Sequence, residues 1–308
     1  MPGAERFRGE AVSARPGRFG RALICAEALV LCAMAPAPAF AHVALERQIE
    51  DLTARIAGDP REATLYLRRG ELHRAHADWD AAAADYGRAR AIDPHLDVVD
   101  YYAGRMLFES GQPAEATRTL GRFLAKHPDH PGALTIRARA LTRLGRQLEA
   151  AQDYARAISQ YQPPHTPDPD LYLNRAQALV DVGESRIDEA IQGLDEGMSC
   201  LGPLVSLGFY AIDLEVRLHR FDAALERLER LAARSPRQES YLMRRGSILE
   251  AAGRPEEARR AYEQVLAAIK TLPPERRATG ALTNFETTAR AALERLGAPD
   301  SPPGGKAR

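Results

Sequence analysis

Residues 63–94 read ATLYLRRGELHRAHADWDAAAADYGRARAIDP. Within this stretch Tyr66, Gly70 and His73 precede Trp79, Ala82, Tyr86, Ala89 and Pro94, the spacing of two short helices joined by a tight turn near Ala77-Asp78. The pattern recurs along the chain. Ala82, Ala116 and Ala150 are 34 residues apart, Ala190 follows after 40, and Ala224 and Ala258 follow after 34 each. A small residue about twelve positions earlier recurs as Gly70, Gly104, Ala138, Ala176 and Gly246, and a large one four positions later as Tyr86, Leu120, Tyr154, Leu194, Leu228 and Tyr262. Self-similarity at this period is the mark of a helical solenoid, in which each unit buries its apolar face only by stacking on its neighbours.

Each recurring position has a physical task. Small residues on both helices let their axes approach to about 8–10 Å. The Tyr or Leu one turn further on is expected to fill the space toward the next repeat's first helix. Prolines at 94, 128, 163, 203 and 236 close the repeats, because proline cannot continue a helix and biases its predecessor away from the α region. Pro113 and Pro255 open second helices, where the missing N–H costs nothing. Asp80, Glu115, Glu149, Asp188, Asp222 and Glu256 follow in the first turns and complement the positive end of the helix dipole.

These residues resemble the tetratricopeptide repeat (TPR) family, most clearly in Tyr66, Gly70, Ala82, Tyr86, Ala89 and Pro94, over roughly residues 45 to 270. The resemblance implies an all-α, right-handed superhelix of about six helix pairs with a concave groove that usually binds peptides or partner proteins. Two repeats depart from the pattern. The fifth has Ile212 where a small residue is expected and Gly208 where a bulky one is usual, which leaves its helix crossing open. The sixth has Lys270 in place of the closing proline, so its second helix is expected to run on toward Leu272.

The repeats are placed at 63–94, 97–128, 131–162, 169–202, 205–238 and 239–272. Before them Leu45, Ile49, Leu52 and Ile56 fall on one helical face, and residues 42–62 are expected to cap the stack, since an end repeat would otherwise expose an apolar surface. After them Leu282, Phe285, Ala289, Leu293 and Leu296 form an amphipathic helix within 273–297, the expected C-terminal cap. Residues 298–308 are rich in Pro and Gly and are expected to be disordered.

Residues 1–41 have the pattern of a secretory signal peptide. Arg6, Arg8, Arg15, Arg18 and Arg21 form a basic segment, Ala22 to Ala35 is a short apolar run, and Ala39-Phe40-Ala41 offers small residues at a cleavage site. The alternative is an uncleaved N-terminus. Cleavage near Ala41 would place the mature protein in the periplasm or cell envelope of a Gram-negative bacterium, with no transmembrane segment and with Cys200 as its single cysteine.

Composition narrows the function classes. Hydrophobic residues make up 45% of the 308 residues but aromatics only 6%, which suits alanine-rich helix pairs. Lys+Arg and Asp+Glu both number 42, a balance that argues against a nucleic-acid partner or a polybasic membrane surface. No phosphate loop, nucleophile elbow or metal-ligand cysteine set is present, so no catalysis and no cofactor are expected.

In this family the first helix of each pair lines the concave face. By register the groove positions include Glu71, Tyr101, Arg105, Phe108, Arg139, Arg143, Gln177, Asp213, Arg217 and Met243. Arg105, Arg139 and Arg143 beside Tyr101 and Phe108 are candidates to hold an acidic or C-terminal carboxylate, because guanidinium pairs with carboxylate in bidentate fashion. The competing reading is a solvated face with ordinary charge interleaving. The family's clamp for chaperone tails uses asparagine where this chain has Glu71, Arg105 and Arg139, so that partner class is not implied.

His73 and His76, and His127 and His130, lack the third and fourth ligands of a zinc site, and Cys200, with no base partner in sight, is expected to be buried or inert. The functional expectation is a non-catalytic scaffold that binds a protein or peptide in its groove. An assembly factor that oligomerises or docks through its convex face or caps is the alternative, and a small-molecule or polysaccharide binder is a third class.

Overall fold

A computed structural model describes residues 37–162, 164–277 and 279–297, with side chains from residue 45 onward. The basic and apolar parts of the expected leader, the closing Pro163 and the tail 298–308 lie outside the described residues. The chain divides into two compact units, Met1–Val43 and Ala44–Arg308. Of the first, the opening of helix α1 (Ala37–Gly58) is described, and the expected cleavage position at Ala41 falls within that helix.

The second unit is entirely helical among the described residues. Helices α2 (Ala63–Ala75) and α3 (Trp79–Ile92), α4 (Val98–Glu109) and α5 (Pro113–Lys126), and α6 (Pro131–Arg143) and α7 (Gln147–Ser159) form successive pairs. They are followed by α8 (Pro169–Val182) with α9 (Ile187–Leu201), α10 (Val205–Arg217) with α11 (Phe221–Ala232), and α12 (Glu239–Ala251) with α13 (Pro255–Thr271). Helix α13 does extend to Thr271, as the missing proline implies. A short α14 (Pro274–Arg277) leads to α15 (Gly280–Gly297), which packs on α13 and α12 and buries Ala289 and Ala292.

Second helices pack on the first helix of the following pair, and first helices also meet one another: α2 with α4, α4 with α6, and α8 with α10. Contact between successive first helices puts them on the shorter, inner circumference of the superhelix. The apolar core is accordingly a series of clusters along the stack, which makes stability a sum over neighbouring repeats.

The in-phase alanines Ala82, Ala116, Ala150, Ala190, Ala224 and Ala258 are all fully buried. The large residue four positions later behaves differently from expectation. It presses onto the small residue of its own repeat. A Cβ on Gly70 would lie 2.7 Å from Tyr86 Cε1, and one on Gly246 would lie 2.5 Å from Tyr262 Cε1. The glycine is therefore the floor on which the aromatic ring rests.

The same complementarity explains the fifth repeat. Ile212 is fully buried, and Gly208, one turn earlier, accommodates Leu231, whose Cδ1 would meet a Cβ at 2.5 Å. In the fourth repeat the sizes are exchanged between the same two positions: Tyr172 on the first helix lies against Gly197 on the second, at 2.9 Å from an added Cβ. Bulk on one helix is matched by its absence on the other, so interior packing stays dense.

Turns between paired helices share one backbone device. Ala77, Gly111, Gly145, His219 and Gly253 adopt positive φ of 58°, 82°, 73°, 57° and 69°. The fourth repeat, with its two extra residues, departs: Gly183 is followed by a 3-10 turn, Glu184–Arg186. Some helix starts are capped by side chains. Asp78 accepts from the Ala81 amide, Asp168 from the Asp170 amide, and His130 Nδ1 from the Ala133 amide at 3.0 Å.

Two buried aspartates are paired with an arginine of their own repeat. Asp85 receives Arg69 Nε and Nη2 at 2.8 and 2.7 Å. One repeat period is skipped, and then Asp153 receives Arg137 Nε and Nη2 at 2.7 and 2.7 Å. Such bidentate pairs satisfy carboxylates that could not otherwise remain inside.

Candidate interaction groove

First helices carry all of the expected groove residues, and the structure gives most of these a specific neighbourhood. Tyr101 packs inside the junction of α4, α5 and α6, with its ring centroid 5.5 Å from Phe123 and 4.8 Å from His130. Burial pushes its phenol above the ordinary value. It is a packing residue more than a groove residue.

Arg105 Nε donates to Glu109 at 3.1 Å, and Glu109 also accepts from Arg74 Nη1 at 2.6 Å. Arg74 Nε in turn donates to Glu71, which receives the Tyr86 hydroxyl at 2.5 Å. Burial, reinforced by Glu71, raises the Tyr86 phenol far above its usual range. This network spans α2, α3 and α4 and neutralises Arg105 within the protein.

Arg143 and Phe108 are brought together. The guanidinium carbon lies 4.1 Å from the ring centroid, and Nη1 donates to the Phe108 carbonyl at 3.1 Å. Arg139 is exposed beside the Tyr154 phenol. Arg105, Arg139 and Arg143 are thus each engaged separately.

Further along, Asp213 pairs with Arg244, whose guanidinium also lies 4.8 Å from the Phe209 ring centroid. Arg217 is exposed at the end of α10. The Tyr210 hydroxyl donates to Gln177 at 2.7 Å, tying α10 to α8.

A larger feature lies at the N-terminal end of the second unit. A groove of about 640 Å³ runs between α1, α2 and α4. Leu52, Leu67, Leu72, Leu96, Val98 and Tyr102 supply its apolar surface, and Gln48, Asp51, Arg55, Arg68 and Glu71 rim it. Glu71 belongs to both the expected set and the observed groove. Most of the rest was hidden because Leu52 reads as a cap residue and Leu67 as core. One signal was available: Leu65-Tyr66-Leu67 puts apolar side chains around most of α2, more than one buried face can absorb.

Of the two expectations for Cys200, buried or inert, the structure excludes the first. Cys200 is exposed, because on the last turn of α9 Leu201 takes the inward direction. Its neighbour Tyr172 has a phenol pushed up to about 12, by burial first and by Cys200 second. His73 is mostly buried, 3.9 Å from Asp85 and 3.7 Å from Asp78. His127 stacks at 4.6 Å on Phe123. Among the described residues no group of three or more His, Cys, Asp or Glu side chains is placed to hold a metal ion. No described helix is long and apolar enough to cross a membrane.

Comparison with known proteins agrees with this architecture. The tetratricopeptide repeat family model matches residues 101–165 and 211–273. No curated protein matches the sequence. Among solved structures, the C-terminal part of a TPR repeat-containing protein from Cytophaga hutchinsonii superposes with a TM-score of 0.57 at 15% identity, over 80% of this chain and 98% of that one. A chain in the structure of Naa15/Naa10 bound to HypK-THB gives a TM-score of 0.50 at 16% identity, over 84% of this chain and 40% of that one. A tetratricopeptide repeat protein from Parabacteroides merdae gives 0.47 at 16% identity, over 84% and 95%. With its paired helices in 34-residue register, its row of inner first helices and these matches, the chain has the fold of a tetratricopeptide repeat solenoid and carries tetratricopeptide repeats at residues 101–165 and 211–273.

Proposed function

We propose that this protein is a non-catalytic scaffold of the bacterial cell envelope that holds a segment of a partner protein on its inner face. The observation that carries the reading is the groove between α1, α2 and α4. Its floor is apolar and half open to solvent, and opposite charges on its rim are available to fix orientation. An apolar surface of this size left exposed is the usual mark of a binding site. An amphipathic helical segment, with anchors at i, i+3 or i+4, and i+7, suits such a groove. Exposed Arg139, Arg143 and Arg217 further along the inner face favour an acidic flank on that partner. Export rests on the basic and apolar pattern of residues 1–41.

The test is capture from envelope extract by the full chain and by a Leu72→Glu/Tyr102→Glu variant, beside an Arg139→Glu/Arg217→Glu variant. A partner lost in the first variant supports the groove, and one lost in the second as well supports the acidic flank. A partner held equally by all three proteins would refute an inner-face site. Cell fractionation with N-terminal sequencing tests export: an N-terminus at His42 in the periplasmic fraction is expected, and an intact Met1 in the cytoplasm would refute it.

A further inference from the structure

The outer face carries a second cleft. It has a volume of about 640 Å³ and lies between the second helices α9 and α11 of consecutive repeats. Met198, Pro203 and Leu231 give it an apolar floor, and Arg227, Arg230 and Arg234, from α11 and the turn after it, line its wall. Arg227 and Arg230 sit at i and i+3 on α11, and Arg234 lies in the turn just past its end.

The three arginines are not equivalent. Arg227 is buried and held from two sides: Nε and Nη2 donate to Glu215 Oε1 at 3.1 and 2.8 Å, and both Nη atoms meet Asp195. Its charge is consumed in joining α9, α10 and α11. Arg230 and Arg234 are exposed, and neither is ion-paired among the described residues. The cleft therefore presents two uncompensated positive charges above an apolar floor, on a wall that Arg227 fixes in place.

We infer that this cleft binds an acidic segment of a partner protein in which carboxylates and apolar residues are interspersed. Charge and apolarity support the match: carboxylates pair with the exposed guanidinium groups of Arg230 and Arg234, while apolar residues beside them cover Met198 and Pro203. The chain's own termini are unsuited. Residues 1–36 carry five arginines against three glutamates, and residues 298–308 carry Lys306 and Arg308 against Asp300. The cleft is separate from the inner groove, so either site can fail without the other.

A fluorescein-labelled hexapeptide of alternating Glu and Leu, titrated by fluorescence polarisation against the full chain, tests the assignment. Arg230→Glu/Arg234→Glu should weaken binding roughly tenfold or more, and Arg230→Gln/Arg234→Gln should weaken it less. Both variants should melt like the parent, since both side chains are exposed. Arg139→Glu/Arg143→Glu on the inner face should leave binding unchanged, a Lys-for-Glu peptide should not bind, and affinity should fall as salt rises above about 0.1 M. Equal affinity for parent and Arg230→Glu/Arg234→Glu would overturn the proposal. So would loss in the inner-face variant instead, or tighter binding of a single-stranded DNA dodecamer through the same two arginines.

Discussion

Ala77→Gly should stabilise the protein, and Gly111→Ala should destabilise it. Both residues occupy the turn between paired helices, at φ of 58° and 82°. For an L-residue the left-handed conformation costs about 1–2 kcal/mol because Cβ crowds the following carbonyl oxygen. Removing that Cβ also frees the unfolded chain, which offsets about 0.5–1 kcal/mol of the gain. The net expectation for Ala77→Gly is a gain of about 0.5–1 kcal/mol, and Gly111→Ala should lose about the same. Packing does not confuse the comparison: Ala77 is exposed, and a Cβ on Gly111, Gly145 or Gly253 would have nothing within 4 Å. His219→Gly should share the sign of Ala77→Gly with a smaller size, because the His219 ring is lost from its edge contact with Phe221 at 5.7 Å. Urea unfolding followed by far-ultraviolet circular dichroism measures these changes as shifts in midpoint at constant slope. A lowered midpoint for Ala77→Gly, or no change for Gly111→Ala, would refute the shared left-handed turn.

Three further outcomes are expected. Ala150→Leu overpacks a fully buried helix crossing and should cost about 1–3 kcal/mol; an unchanged melting temperature would reject the register. Arg137→Met strands the Asp153 carboxylate, which is 4% exposed, and should cost about 3 kcal/mol, whereas Arg137→Met/Asp153→Leu should cost less, as a double-mutant cycle would reveal. The third concerns pH. Burial holds His130 below its ordinary value of 6.5, and its neutral Nδ1 caps α6. Below about pH 6.5 the unfolded chain takes up a proton that the native state resists, so stability falls as pH drops, until the folded imidazole protonates too. His130→Asn keeps the cap and should flatten this part of the profile. Carboxylates such as Asp97, held low chiefly by its hydrogen bond from Lys126, act at lower pH and would be unaffected. An identical profile in His130→Asn would refute the assignment.

The sequence by itself determined the repeat, the helix pairing and the solenoid fold. These follow from local rules: the spacing of Ala82, Ala116 and Ala150, prolines that stop helices, and acidic first turns that start them. It also marked Phe108 and Arg143, which do meet, because a fixed period keeps residues near one another when they hold adjacent places in consecutive repeats.

Tertiary structure alone decided what those residues do. Tyr86 sits on Gly70 of its own repeat, and Gly208 and Gly197 trade bulk with Leu231 and Tyr172; size complementarity between helices depends on how they cross. Arg105 is spent on Glu109, while Arg230 and Arg234 have no ion pair among the described residues. Composition counts these arginines as equals, and only the carboxylates that folding brings within reach separate them. The apolar groove at Leu52, Leu72 and Tyr102 is likewise a product of assembly: those side chains come from three helices, and no one helix reveals that the other two leave its apolar face uncovered.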